Sequence, residues 1–334
     1  MVDVITMKNE PTLSSLSNLA LNDNRKQART WPLSRLPLIK ELSRNWPLYL
    51  MALPALLAII IFSYVPLSGL LVAFLDYSAV KGIAGSKWVG LGNFQLVFQN
   101  PFFATALRNT LYINLMKLIV GFPAAIILSL LLNEIRLGWF KRLVQTATIL
   151  PYFLSWVVIG TMFRNLLAPD GLVNEILQTL FHADPVIFLS DPQKFPLVII
   201  FQDTWKYWGF GAVLYLASMS GIDPTLYEVA MIDGANRWQQ TLYVTLPAIR
   251  PTMATVFILS VGWIIQGGFE QMYVMYNTSV YSTGDILETF TLRLALSQSK
   301  YGMATAVGLL QGIISVILVL SVNYSVRRFS RQGL

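Results

Sequence analysis

Short polar loops, most of them basic, break this chain into long apolar blocks, and that pattern restricts its fold more than any other feature. Six blocks reach the roughly 20 residues needed to cross a hydrocarbon core. They cover residues 47–74, 110–132, 143–167, 195–219, 251–271 and 303–326. Hydrocarbon offers backbone groups no water, so each block must satisfy its own hydrogen bonds as a helix. The expectation is an all-α polytopic membrane protein with six transmembrane helices. Charge agrees: 12% of residues are charged, half the roughly 25% of a soluble domain.

The residue inventory excludes several chemistries. There is no cysteine and a single histidine, His182. Zinc sites, thiol catalysis, disulfides and a Ser-His-Asp triad are therefore not expected, and no metal or catalytic residues are assigned. No GxxxxGK[ST] occurs, so the chain has no phosphate-cradling loop of its own. Any ATP must be bound by a partner. The first 45 residues are polar and basic, without the apolar core of a secretory signal.

Basic residues set the orientation. If both termini are cytoplasmic, the inside loops and tails hold 15 of the 24 Lys and Arg residues, and the inside carries the whole net charge of +7. That placement answers to topology and lipid, so no nucleic-acid partner is expected. Three regions follow: a cytoplasmic basic segment (1–45), a six-span domain (46–328) with a cytoplasmic loop at 221–250, and a cytoplasmic tail (329–334). WPLSRLPLIKELSRNW (31–46) reads either as an interfacial segment on the lipid surface or as a basic tail obeying topology. Outside, the loop at 76–108 carries WVGLGNF and a short interfacial helix, 168–194 is acidic and Pro-rich, and 272–302 is long and Tyr-rich. Ala304, Gly308 and Gly312 form a small-residue stripe suited to packing on a neighbouring helix.

The cytoplasmic loop reads as a helical hairpin. Asp223 is a good N-cap and Pro224 suits the first helical position. A helix through Glu228, Val229 and Ala230 ends at Asp233-Gly234, where glycine takes the left-handed conformation. A second short helix covers Arg237 to Val244, ended by Leu246-Pro247 and Pro251. Physical reasoning leaves two readings open: a docking knob for another protein, or an ordinary amphipathic loop.

The spacing resembles the EAA loop of permease subunits in binding-protein-dependent ABC importers. That pattern is E-A-A, three residues, G, then a hydrophobic-Leu-Pro ending. Glu228, Val229 and Ala230 match the triplet, Asp233, Gly234 and Ala235 the D-G-A, and Leu246 and Pro247 the ending. Val229 departs from Ala, and Thr241 stands where sugar permeases often carry Phe. ILPYFLSWVVIGTMFRNLLAPDGLVN (149–174) and GGFEQMYVMYNTSVYSTGDILETFTLRLAL (267–296) resemble the polysaccharide and oligosaccharide branch, nearest to the first permeases of alginate-oligosaccharide importers. The resemblance implies a type I, maltose-permease-like fold in a bacterial inner membrane. It also implies a second permease, two ATPase subunits that bind ATP and Mg, and an external solute-binding protein. The loop would then be the coupling helix that the ATPases move.

Polar residues inside spans are costly and face a cavity or a partner. The candidates for a saccharide path are Asn109, Asn114, Gln202, Asp203, Trp205, Lys206, Trp208, Trp263, Gln266, Glu270 and Arg293. Gln202 and Lys206, at i, i+4, and Asp203 and Lys206, at i, i+3, are spaced so that a pair within their helix can form. Lys117, Lys206 and Arg293 would suit an anionic uronate chain unless Asp203 and Glu270 neutralise them. Interfacial anchoring and interhelical bonding are the alternatives for each. A self-sufficient secondary transporter is the competing function, but it commonly needs two related halves, and no internal repeat is evident.

Overall fold

A computed structural model describes residues 46–330 except 263, 266 and 267. The expected basic segment 1–45, with its WPLSRLPLIKELSRNW stretch, and residues 331–334 of the tail lie outside the described residues. The chain divides after Leu67 into two compact units. The described part of the first is α1 (Trp46–Ile59) and a π-wound turn at Ile60–Tyr64, followed by the start of a 3-10 stretch, Val65–Phe74.

The second unit is helical apart from a two-residue hairpin, β1 (Leu75–Asp76) against β2 (Lys87–Trp88), with Leu75 opposite Trp88. Its helices are α2 (Gly92–Gln99), α3 (Pro101–Glu134), α4 (Gly138–Ile149), α5 (Trp156–Leu166), α6 (Leu172–Phe181), α7 (Phe195–Ser220), α8 (Pro224–Ile232), α9 (Arg237–Gln240), α10 (Leu246–Gly262), α11 (Phe269–Met275), α12 (Tyr281–Gly284), α13 (Leu287–Leu292) and α14 (Tyr301–Ser330). Asn100 caps α3 by accepting from the Phe102 N–H, with Pro101 at the first helical position. That arrangement satisfies a donor the helix cannot.

Among the described residues, four helical stretches are long and apolar enough to cross a membrane: Trp46–Phe74, Pro101–Glu134, Arg237–Gly262 and Tyr301–Tyr324. Three of the six expected spans depart from a single uninterrupted apolar helix. The third block is a pair, Gly138–Phe153 and Trp156–Leu166, bent by 104°. Pro151 has no N–H to donate, and Leu154 is extended before Ser155 recaps the chain by accepting from Val158. The fourth block, α7, has 26 residues, long enough at 1.5 Å per residue. It falls outside the apolar set because Gln202, Asp203 and Lys206 interrupt it. In the fifth block the helix stops at Gly262 and resumes at Phe269. Gly268 lies between with φ +113°, a conformation side chains disfavour.

In lipid, apolar helices gain little by leaving hydrocarbon, so close backbone approach decides which ones pair. The α3–α7 contact runs along both helices, with Gly121 facing Thr204 and Gly211 facing Ala125. Gly209 brings α7 onto the end of α4 at the Thr148 carbonyl. The small-residue stripe behaves otherwise. Ala304 is buried, but a Cβ at Gly308 or Gly312 would meet nothing within 4 Å. Those two glycines are not used for packing among the described residues.

The 272–302 segment, read as an outer loop, is largely helical and packs against the start of α3. The side chain of Asn109 donates to the carbonyls of Ser282 and Asp285, and the Leu287 N–H donates to Thr110. Phe290, Leu287 and Leu294 join α3 and α14 in one core.

Candidate functional site

Two arrangements stand out. The first is the loop between α7 and α10. Asp223 caps α8 by accepting from the Thr225 N–H, which holds its carboxyl below the usual carboxylate range. The cap is therefore charged at neutral pH. At the other end, the Ala235 N–H bonds back to Ala230 O at 2.8 Å and Gly234 has φ +80°. Asn236 then caps α9 in a reciprocal capping box with Gln239. The Tyr227 hydroxyl meets that of Thr245 at 2.9 Å, and Gln240 donates to Ala235 O, tying the two arms together.

The second arm differs from expectation. Leu246-Pro247 and Pro251 do not end it. The chain winds through a π turn at Thr241–Thr245 directly into α10. Movement of the loop would thus act on a continuous helix, Arg237–Gly262. Glu228, Val229, Asp233 and Gly234 are exposed, while Ala230, Ala235, Leu246 and Pro247 are half-buried. Ile232 is 86% and Tyr243 76% exposed, so the loop offers apolar groups beside the Glu228 carboxylate. Tyr243 supplies an aromatic near Thr241. Arg237 forms an exposed pair with Glu134 at 3.6 Å, a contact of little energy.

The second arrangement is a cavity of about 770 Å³ between α3, α7 and α10, within the size range of small-molecule sites. Of the sequence candidates, Asn114, Asp203 and Trp208 line it. Asn114 also donates to Ile264 O at 2.8 Å. The others sit elsewhere. Asn109 is bound to the 272–302 segment. Gln202 is fully buried, accepting from Gln271 at 3.1 Å. Trp205 packs edge-on against Phe163. Glu270 is exposed and not on the cavity wall. Arg293 forms a two-pronged pair with the buried Asp285. Trp263 and Gln266 lie outside the described residues.

The Asp203–Lys206 pair that the spacing allows does not form. Asp203 reaches across to Lys117 on α3 at 3.1 Å. The Lys206 ammonium donates to the carbonyls of Pro151, Tyr152 and Leu154, the groups freed by the bend before α5. It also lies 5.3 Å from the Trp156 ring and 5.6 Å from that of Tyr207, and both rings line the cavity. Lys206 is thus behind the aromatic wall, holding it. The Pro151 carbonyl also accepts from the Leu154 N–H, so Lys206→Met takes this donor chiefly from the Tyr152 and Leu154 carbonyls, at about 1–3 kcal/mol for a buried polar group. The assembled protein is expected to denature at a lower temperature, and unchanged thermal denaturation in lipid nanodiscs would remove this role.

Sequence reasoning missed Tyr152, Trp156, Thr204, Tyr207 and Tyr215 as cavity residues. Part of the signal was present: Thr204, Trp208, Gly211 and Tyr215 recur at i, i+4, i+7 and i+11, one face of α7. Tyr152 and Trp156 reach the wall only because the third block bends.

Residues 118–332 match the family model for the binding-protein-dependent transport system inner membrane component. The chain belongs to this family. Two relatives come from Bacillus subtilis (strain 168). Protein LplB is 40% identical over 88% of this chain and 92% of its own length. The polygalacturonan/rhamnogalacturonan transport system permease protein YteP is 37% identical over 89% and 92%. Among solved structures, a chain of a bacterial ABC transporter involved in the import of the acidic polysaccharide alginate superposes with TM-score 0.82 at 36% identity, over 88% of this permease and 99% of that chain. A second structure, the alginate transporter with an alginate pentasaccharide-bound periplasmic protein, also gives TM-score 0.82. The permease fold and inner-membrane setting expected from the sequence agree with these matches.

Proposed function

We infer that this permease carries an oligosaccharide released by an external binding protein, in an importer completed by a second permease and two ATPase subunits. The permease domain is residues 46–328, with both termini cytoplasmic. This chain is not an enzyme. ATP and Mg are held by the ATPases, and the loop of residues 228–247 receives their movement. The carrying observation is the loop itself: a capped hairpin pivoting on Gly234, exposing Glu228 and Ile232, and continuous with α10. Asn114, Asp203 and Trp208 are the candidate residues that remain on the cavity wall, beside Tyr152, Trp156 and Tyr207. Aromatic faces can stack on sugar rings while amides and hydroxyls bond their edges.

The test is composition. The tagged chain, taken from its native membrane in mild detergent, is expected to bring an ATPase and a second permease at matched amounts, identified by mass spectrometry. A clean homo-oligomer without ATPase contradicts the reading. Glu228→Ala is expected to leave that complex intact while cutting substrate-stimulated ATP hydrolysis about tenfold, the size of losing one charge-assisted contact. Normal stimulation in the variant would remove Glu228 from the coupling contact.

A further inference from the structure

Three cations looked able to read an acidic saccharide, and each is engaged in the folded chain. Lys206 is turned into backbone carbonyls and Arg293 is paired with Asp285; neither lines the cavity. Lys117 does line it. Its ammonium sits 3.1 Å from the Asp203 carboxylate and donates to Gln271 Oε1 at 2.7 Å. Gly268 makes room for this pair, since a Cβ there would lie 3.0 Å from the Lys117 nitrogen. Glu288 also lies within electrostatic reach of Lys117 but is not on the wall.

Lys117 and Asp203 are the two charged residues on the described wall, and their formal charges cancel. Three neutral polar atoms of wall residues, Thr204 Oγ1, Trp208 Nε1 and the Tyr215 hydroxyl, lie buried without a hydrogen-bond partner. Tyr215 is 1% exposed, and a buried hydroxyl without a partner is costly unless something bonds it. All three are on one stripe of α7, and none adds a charge to the wall.

We propose that Asp203 is a specificity-determining residue. It masks the wall's one cation, Lys117, so the cavity reads sugar rings by face and hydroxyl and takes acidic and neutral rings alike. This rests on the saccharide reading above. Selection for charge, where the importer has it, then belongs to another component.

The experiment uses the assembled transporter without its binding protein, so that this component cannot select. A galacturonate trisaccharide and its methyl ester are titrated by calorimetry. The wild type is expected to bind acid and ester within about twofold of each other, with little change between about 50 and 500 mM salt, because a neutral site has no net charge to screen. Asp203→Asn frees Lys117 and is expected to favour the acid by about tenfold, an advantage that shrinks with salt. The double variant Lys117→Met/Asp203→Asn is expected to return to no preference, which separates unmasking from damage to the fold. A wild type that already favours the acid in a salt-dependent way overturns the proposal. So does an Asp203→Asn protein without acid preference, or binding of neither sugar. Uptake of both sugars by the complete importer, binding protein included, is measured in parallel. If sugar is imported while these tests fail, only the masking role is lost; if no sugar is imported, the saccharide reading itself falls.

Discussion

Gly234→Val is expected to leave the permease folded and assembled while reducing substrate-stimulated ATP hydrolysis by about tenfold or more. The site has room for a side chain: a Cβ on Gly234 would meet nothing within 4 Å. What it lacks is a permissible backbone. At φ +80° an L-residue pays about 1–2 kcal/mol, most for a β-branched one, and 1.4 kcal/mol is tenfold in a population. The loss falls on the turn that sets Glu228 relative to α9, not on the helical core. Gly234→Asn is the informative companion, because asparagine tolerates the left-handed region and should retain most of the activity. Full stimulation in the valine variant would mean that the turn does not transmit motion.

Gly209→Ala is expected to do the opposite and fail at assembly. A Cβ there would lie 2.0 Å from the Thr148 carbonyl oxygen and 2.3 Å from its carbon. Both are backbone atoms, so no rotamer relieves the contact, and α7 would have to withdraw from α4. Overpacking of this kind costs about 3 kcal/mol. The displaced helix also carries Lys206, whose ammonium bonds the carbonyls at the bend. The yield of folded protein in detergent and its denaturation temperature are both expected to fall. Gly308→Ala, at a position with nothing within 4 Å, should leave the purified subunit unchanged. Equal stability of the two variants would show that the α4–α7 contact does not hold the bundle.

Much of this was legible in the residues. Apolar blocks and basic loops announced the helical membrane fold, because the bilayer imposes one length and one way of pairing backbone groups. The caps at Asp223 and the turn at Gly234 could be read because they depend on local backbone chemistry alone. The cavity was only half legible. Asp203 and Lys206 looked like an intrahelical pair, yet each found a stronger partner on another element: Lys117 on α3, and the carbonyls at the bend before α5. Those choices depend on tertiary approach, which i, i+3 spacing does not encode. The packing of 272–302 against α3 escaped for the same reason. Its polar sequence suits an outer loop, but the Asn109 and Thr110 side chains supply the bonds that bury it.

The most direct test is saccharide uptake into proteoliposomes containing the complete importer, with and without ATP at the ATPase face. The account predicts accumulation that requires ATP, persists when ion gradients are collapsed, and is lost in Gly234→Val. Uptake by this chain without ATPase subunits, driven by an ion gradient and abolished by ionophore, would contradict it and restore the secondary transporter.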